Sequence, residues 1–390
     1  MRPLLGSDRR RLVHWPLAAT AMALGCLGIV MVHSAGRRLT DDGAVGARQA
    51  LFVGLGSLLL LAGAGVDHRR LRRYVPIVVA VAVAGLVLVL TPLGTEVRGT
   101  QGWFRFGGVA LQPSEPAKLG LVLGLAAVLD RAWGPDGRPA RAGLPDGPID
   151  RHPDRRPGPA RFAAGLVLLG LCSALVLAQG ETGTVLVFGA IAVGMFATAG
   201  VAVRYIALLV VTGVAVVGLA LDAGVLSAYQ VDRFEVFLRP DHDPLGAGYN
   251  QRQALAAIGS GGLAGAGLFA GPQTQLGYVP DQHTDFIFAA VAEELGLLGA
   301  GLLIGLQALL LTLVWSIGRD CRDEWGRLLC AGVFALLASQ VIQNLAMNLR
   351  LAPITGIALP FVSYGGSAML TSMAAVGLVQ SVALHHGRRR

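Results

Sequence analysis

The chain has 390 residues, 54% of them hydrophobic and 14% charged, against roughly 25% charged in an average soluble chain, which excludes a single water-soluble core. The net charge of +8 lies between apolar runs and accompanies no RNA- or DNA-binding motif, so it reads as the basic flanking of membrane spans and not as a nucleic-acid surface. Cys26, Cys172, Cys321 and Cys330 show no CxxC or metal-like spacing, so neither a disulfide framework nor a cysteine metal site is expected.

Apolar runs long enough to cross a bilayer, roughly 17 to 25 residues each, fall at 16–34, 49–66, 74–92, 113–130, 161–178, 183–199, 202–221, 285–315, 328–348 and 364–384. The first follows Arg9, Arg10 and Arg11 but lacks a small-residue cleavage site, so a retained helix is expected. The expected fold is an all-α integral membrane protein of about ten transmembrane helices, forming one polytopic domain over 1–390. Its tightest connections are 179–182 and 200–203. Alternate connections, counted from the N-terminus, hold 22 of the 32 Lys and Arg residues. By the positive-inside rule that set is cytoplasmic, and so are both termini. A flexible cytoplasmic loop is expected at 131–160, rich in Pro, Gly, Arg and Asp. The longest non-spanning stretch, 222–284 between the seventh and eighth spans, then lies outside together with 94–112, and chemistry is expected there. Re-entrant or short helical elements are expected within 222–284.

Ionisable side chains at membrane depth cost roughly 2.5 to 3.5 kcal/mol each on insertion scales, so each needs a reason. The first polar group runs from Arg98 through Trp103 to Gln112-Pro-Ser-Glu-Pro-Ala-Lys118. Pro113 suits a first helical position, and Glu115 and Lys118, three apart, share a helix face. The chain has 31 Arg and this single Lys, so a compact ammonium has been kept where a guanidinium would not serve. The pair either fixes packing or lines a polar, phosphate-binding site. Trp103 either anchors the interface or stacks on a sugar or lipid head.

The second group is Tyr278-Val-Pro-Asp-Gln-His-Thr-Asp285, followed by Glu293 and Glu294. Asp285 stands at the outer mouth of a span, where a carboxylate is poised as a general base or caps the helix, a task open to Thr284 as well. His283 is an acid-base partner, a metal ligand or a structural residue. Helical geometry separates Glu293 and Glu294 from Asp285, so no carboxylate pair is expected.

The third group holds Asn344 and Asn348, two of only three Asn, four apart on the ninth span, then Arg350 and Pro360-Phe-Val-Ser363-Tyr-Gly365-Gly366-Ser367. Irregular backbone of that kind survives at membrane depth only under a cover of protein or beside a wet cavity. The glycines of 246–262 lack the GxxxxGK[ST] spacing, which excludes a nucleotide loop.

Taken together, Trp103-Phe-Arg-Phe-Gly, Gln112-Pro-Ser-Glu-Pro-Ala-Lys118, Ala257-Ile-Gly-Ser-Gly-Gly-Leu, His283-Thr-Asp-Phe-Ile-Phe with Ala292-Glu-Glu-Leu-Gly, and Ser363-Tyr-Gly-Gly-Ser resemble the RodA/FtsW/SpoVE (SEDS) family of peptidoglycan glycosyltransferases. The Ile258-Gly-Ser-Gly-Gly stretch and Ala292 resemble its elongation branch, RodA, more than its division branch, FtsW. One departure is Asp281-Gln282, where the family carries Glu and a small residue.

The resemblance implies a polymerase that joins lipid II units into glycan strands at the outer face of the cytoplasmic membrane, partnered by a class B penicillin-binding protein. It assigns Asp285 as the catalytic carboxylate and places Arg98, Trp103, Glu115 and Lys118 around a central cavity. Gln112, Ser114, His283, Thr284, Ser363, Gly365 and Gly366 complete the candidate substrate-binding set. The departing pyrophosphate would need Arg98, Lys118 or a divalent cation. A lipid flippase or transporter, and a non-catalytic scaffold for a transpeptidase, are the rival readings.

Overall fold

The computed structural model describes residues 13–37, 44–97, 99–106, 109–131, 157–222, 233, 235–237 and 247–385. Arg98 and most of the 131–160 loop therefore lie outside the described residues. Each of the ten apolar runs coincides with a helix, so the chain is a helical membrane protein.

Helices α1 (Trp15–Gly36) and α2 (Ala44–Gly65) lead to a short α3 (His68–Leu71) and a 3₁₀ turn, Arg72–Tyr74, continuous with α4 (Val75–Leu88). Next come α5 (Ser114–Leu129), α6 (Pro159–Ala178), α7 (Thr182–Thr198) and α8 (Val203–Asp222). Two shorter helices follow, α9 (Ala247–Ser260) and α10 (Pro272–Leu276), and then α11 (Ile287–Asp320), α12 (Glu324–Asn348) and α13 (Gly366–His385). The two tight connections are real breaks: Gly180 (φ 84°) and Gly200 (φ 81°) turn the chain in a left-handed conformation open to glycine. Among the described residues, seven helical stretches, with His68–Leu88 counted as one, are long and apolar enough to cross a membrane by length and composition.

The all-α class holds, with one small sheet that the apolar runs did not announce. Thr95–Val97, Thr100–Phe106 and Val109–Leu111 form an antiparallel sheet, β1-β2-β3, between α4 and α5. The seven-residue β2 pairs with a neighbour on each side, Trp103 opposite Thr95 and Phe104 opposite Leu111. Pairing with strands on both sides satisfies the backbone of a segment too polar to continue a span.

In α13, 72% of the most apolar stretch is buried, against 11% in α4, so α13 is the axis of the bundle and α4 a wall. Small residues make the axis possible: a Cβ on Gly377 would stand 2.9 Å from the Leu60 carbonyl of α2, and one on Gly63 3.1 Å from Gly377 itself. The outer wall carries bare aliphatics such as Val214 (69% exposed) and Leu298 (71%), a surface suited to hydrocarbon.

At the end of the bundle where α1 begins and α13 ends, polar side chains tie neighbouring helices together. Arg72 pairs with Asp130, Arg131 Nε and Nη2 reach Glu324 Oε1 at 3.0 and 2.8 Å, and His68 Nε2 lies 3.3 Å from Asp323 Oδ2. The opposite end carries the sheet, α9, α10 and Asp285.

Candidate active site

Asp285 is placed by its own backbone. The turn before it is drawn tight at Asp281 (φ 53°), whose carbonyl accepts from the amides of Thr284 and Asp285 at 3.0 Å. The amides of Asn344 and Asn348, one turn apart on α12, both donate to the Asp285 carbonyl, at 2.9 and 3.1 Å. Ser363 Oγ donates to the Thr284 carbonyl at 2.5 Å, and Tyr364 N donates to the His283 carbonyl at 2.9 Å. Residues 283–285 thus lose their main-chain freedom to three elements, which leaves the half-buried Asp285 side chain as the adjustable part.

The N-cap position of α11 is Phe286, whose side chain makes no capping bond, and Thr284 Oγ1 turns back to the Asp281 carbonyl at 3.0 Å. Beneath the turn, Phe286 and Val279 pack with Ala254 and Ala257 of α9 and Met347 of α12 in a small core of their own.

The Pro-Gly segment 353–365 is irregular backbone held inside protein. Ile357 O accepts from Asn344, Pro360 O from Gln307 of α11 and Ser363 O from Gln49 of α2. Gly28 of α1 lies so close that a Cβ there would stand 2.6 Å from the Phe361 carbonyl. At its centre Gly356 (φ 68°) faces the site: a Cβ there would lie 3.6 Å from Asp285 Oδ2 and 3.7 Å from Arg233 Nη1. Arg233, which sequence reasoning passed over as one basic residue in a long loop, therefore shares the Gly356 face with the Asp285 carboxylate.

The first polar group gathers along α5. Lys118 is fully buried and donates to Glu115 Oε1 at 2.5 Å. Pro113 takes the N-cap position of α5, one residue earlier than the sequence suggested. Gln112 joins two neighbours: its main-chain N–H donates to Ser367 Oγ at 3.0 Å, and its Nε2 donates to Glu181 Oε1 at 2.7 Å. Trp103 stands half-buried on β2.

His283 and Tyr364 rings meet at 5.5 Å between centroids, and Tyr364 meets Phe52 at 6.2 Å. Gly366 has a structural reason, since a Cβ there would press on the Phe52 ring at 2.9 Å; Gly365 has more room, 3.7 Å to Ala368. Glu293 and Glu294 serve a different task. Both are buried on α11 and receive the segment before Asp285: Glu293 accepts from Gln273 N, Thr274 N and Thr274 Oγ1 at 2.6 to 2.8 Å, and Glu294 from Phe269 N, Gln275 Nε2 and Ser34 Oγ. Among the described residues, no three His, Cys, Asp or Glu side chains gather as a metal site.

Comparison with known proteins matches this architecture. Residues 14–388 match the cell cycle protein family model of FtsW, RodA and SpoVE. A probable peptidoglycan glycosyltransferase FtsW of Trichlorobacter lovleyi is 34% identical over 95% of this chain and 94% of its own length. The peptidoglycan glycosyltransferase MrdB of Escherichia coli K12 is 33% identical over 85% of this chain and 84% of its own. The rod shape determining protein RodA of Thermus thermophilus superposes with a TM-score of 0.67 at 28% identity, covering 97% of this chain and 98% of that one. A chain from a peptidoglycan synthase complex that coordinates polymerization and crosslinking superposes at 0.77 and 29%, covering 97% and 99%. Division names stand beside elongation names at near-equal identity, so the relatives do not separate the branches. The chain belongs to the FtsW/RodA/SpoVE family.

Proposed function

We propose that this chain is a peptidoglycan glycosyltransferase that joins lipid II units into glycan strands, with Asp285 as the general base. The observation that carries the reading is the fixed backbone of 283–285, which presents one half-buried carboxylate on the Gly356 face shared with the Arg233 guanidinium. A sugar 4-hydroxyl is a weak nucleophile; Asp285 takes its proton as the oxygen attacks the anomeric carbon of the growing strand. A single displacement inverts that carbon, and the lipid pyrophosphate leaves with negative charge. Arg233, whose guanidinium approaches Gly356 as the Asp285 carboxylate does, would hold a phosphate oxygen of the leaving group. Lys118, buried against Glu115, organises the neighbouring wall.

The excess of basic residues on the terminal side supports both termini in the cytoplasm and the Asp285 end outside the bacterial cytoplasmic membrane. The partner would be a class B penicillin-binding transpeptidase, by analogy with the synthase complex. The Ile258 motif favours the elongation branch. Cross-ties at the terminal end, Arg131 to Glu324 and His68 to Asp323, support a fixed catalytic bundle over a carrier that opens to both sides.

The test is incubation of the purified protein, with and without the transpeptidase, with labelled lipid II. Lysozyme-sensitive polymer that disappears in Asp285→Ala, with transpeptidase binding intact, is the expected result. Undiminished polymer from Asp285→Ala rejects the base, and no polymer from wild type under any partnered condition rejects the enzyme.

A further inference from the structure

Glu181 lies in the three-residue connection between α6 and α7, and nothing in the chemistry above uses it. Its carboxylate is nonetheless a meeting point. Oε1 accepts from Gln112 Nε2 at 2.7 Å and Oε2 from Thr184 Oγ1 at 3.1 Å. Gly102 of β2 rests directly on Oε1, and any Cβ at that position would collide with it. The preceding residue is pinned to the same connection, with Gln101 N donating to the Gln179 carbonyl at 3.0 Å.

The buried Ser114 hydroxyl lies beside the carboxyl without meeting strict hydrogen-bond geometry, and the Lys118 charge is near enough to act on it. Burial pushes the Glu181 carboxyl above the ordinary carboxylate value, opposed by Ser114, Gln112, Lys118 and Thr184 in that order. On its other side the connection touches the catalytic segment: a Cβ on Gly183 would stand 3.0 Å from Ile357 and closer still, 2.5 Å, to the Thr355 carbonyl, next to Gly356. One short turn therefore bears on the Trp103 strand, the head of α5 and the loop facing Asp285.

We infer that Glu181 is a positioning residue of the lipid-linked substrate site: its carboxyl seats Gly102 and Gln112, and thereby sets Trp103 and the α5 head against the sugar-diphosphate part of the substrate. This rests on the glycosyltransferase reading. It predicts that damage at Glu181 weakens substrate binding more than it slows the chemical step at Asp285, because the seat touches the binding wall and not the reacting atoms.

The experiment is steady-state polymerisation with lipid II on full-length protein with its transpeptidase. Glu181→Ala is expected to raise KM by about tenfold while kcat falls by about threefold or less, the size of effect expected from orphaning a buried hydrogen-bond donor. Gly102→Ala, which forces the carboxyl from its seat without removing it, is expected to raise KM in the same way. Glu181→Asp, shorter by one methylene, is expected to bring the KM of Gly102→Ala back toward wild type in the double variant, an outcome that general destabilisation does not produce. A wild-type KM in Gly102→Ala, or a double variant no better than Gly102→Ala, overturns the inference; should Glu181→Ala not fold, these two still decide. A loss of kcat at constant KM also overturns it. Absence of polymer from wild type instead overturns the reading beneath it.

Discussion

Asn344 on α12 donates its side-chain amide to the main-chain carbonyl of Asp285 at 2.9 Å, across 59 residues of sequence. The same amide group reaches the Ile357 carbonyl at 2.8 Å, so one side chain joins the Asp285 turn to the irregular segment that faces it. Asn344→Leu keeps the volume, orphans the Ile357 carbonyl and leaves the Asp285 carbonyl to the Asn348 amide alone, and an orphaned buried group costs about 1 to 3 kcal/mol. The expected outcome is a lowered thermal midpoint and a polymerisation rate down by more than about tenfold, measured on the detergent-purified variant. Asn344→Asp sets a carboxylate against the same two carbonyls and is expected to be worse.

Gly356 carries φ 68° beside Asp285 and Arg233. A Cβ would meet Asp285 Oδ2 at 3.6 Å, an ordinary contact, so the penalty of Gly356→Ala is conformational and amounts to about 1 to 2 kcal/mol. Relief of that strain moves the backbone that faces Asp285. Polymerisation is expected to fall further than stability, a difference seen by comparing initial rate with the melting midpoint of the same preparation.

Glu293 and Glu294 illustrate polar groups whose value is structural. Glu293 satisfies two main-chain amides and the Thr274 hydroxyl, so Glu293→Ala leaves three donors unpaired in a buried site. Destabilisation of about 2 to 4 kcal/mol is expected. Glu293→Gln is expected to recover only part of this, since its amide nitrogen opposes an N–H. Protection of amides 261–275 from hydrogen exchange reports the loss locally, because Gly261 and Gly265 lie against the α11 backbone at Ala292 and Glu294.

The helices were legible because a bilayer demands runs of a fixed length with basic flanks, and 16–34 or 328–348 could hardly be anything else. The Asn344 and Asn348 pair was legible as two rare amides four apart on one span, and Ser363 and Gly366 as parts of irregular backbone, because buried polar and glycine residues at depth need partners or close contacts. The sheet was missed although Thr100–Phe106 alternates its side chains, since the apolar spans on either side dominated the pattern. Glu181 and Arg233 were missed for a common reason. Both are placed by contacts with residues 102, 112 and 356, which no local periodicity encodes. An acid wedged between two glycine-flanked spans was the one sign that pointed to Glu181.

Asp323 caps α12 through Gly326 N at 3.3 Å and faces His68 and Arg69 at the end of the bundle where α1 begins and α13 ends. Burial alone would raise its carboxyl, but the His68 hydrogen bond, the His68 and Arg69 charges and the Gly326 amide outweigh it and hold the value below the usual 3.8. A carboxyl depressed in the folded state contributes stability that is full above its unfolded value and lost as pH falls through the folded one. Asp323→Asn is therefore expected to lower the thermal midpoint above about pH 5, and the gap to wild type is expected to close as pH falls below roughly 3.8. Melting curves of both proteins across that range check it. A gap that widens in acid would mean that the carboxylate is repelled by its surroundings and that the latch between α3 and α12 is held by the Trp325 Nε1 bond to the His68 carbonyl instead.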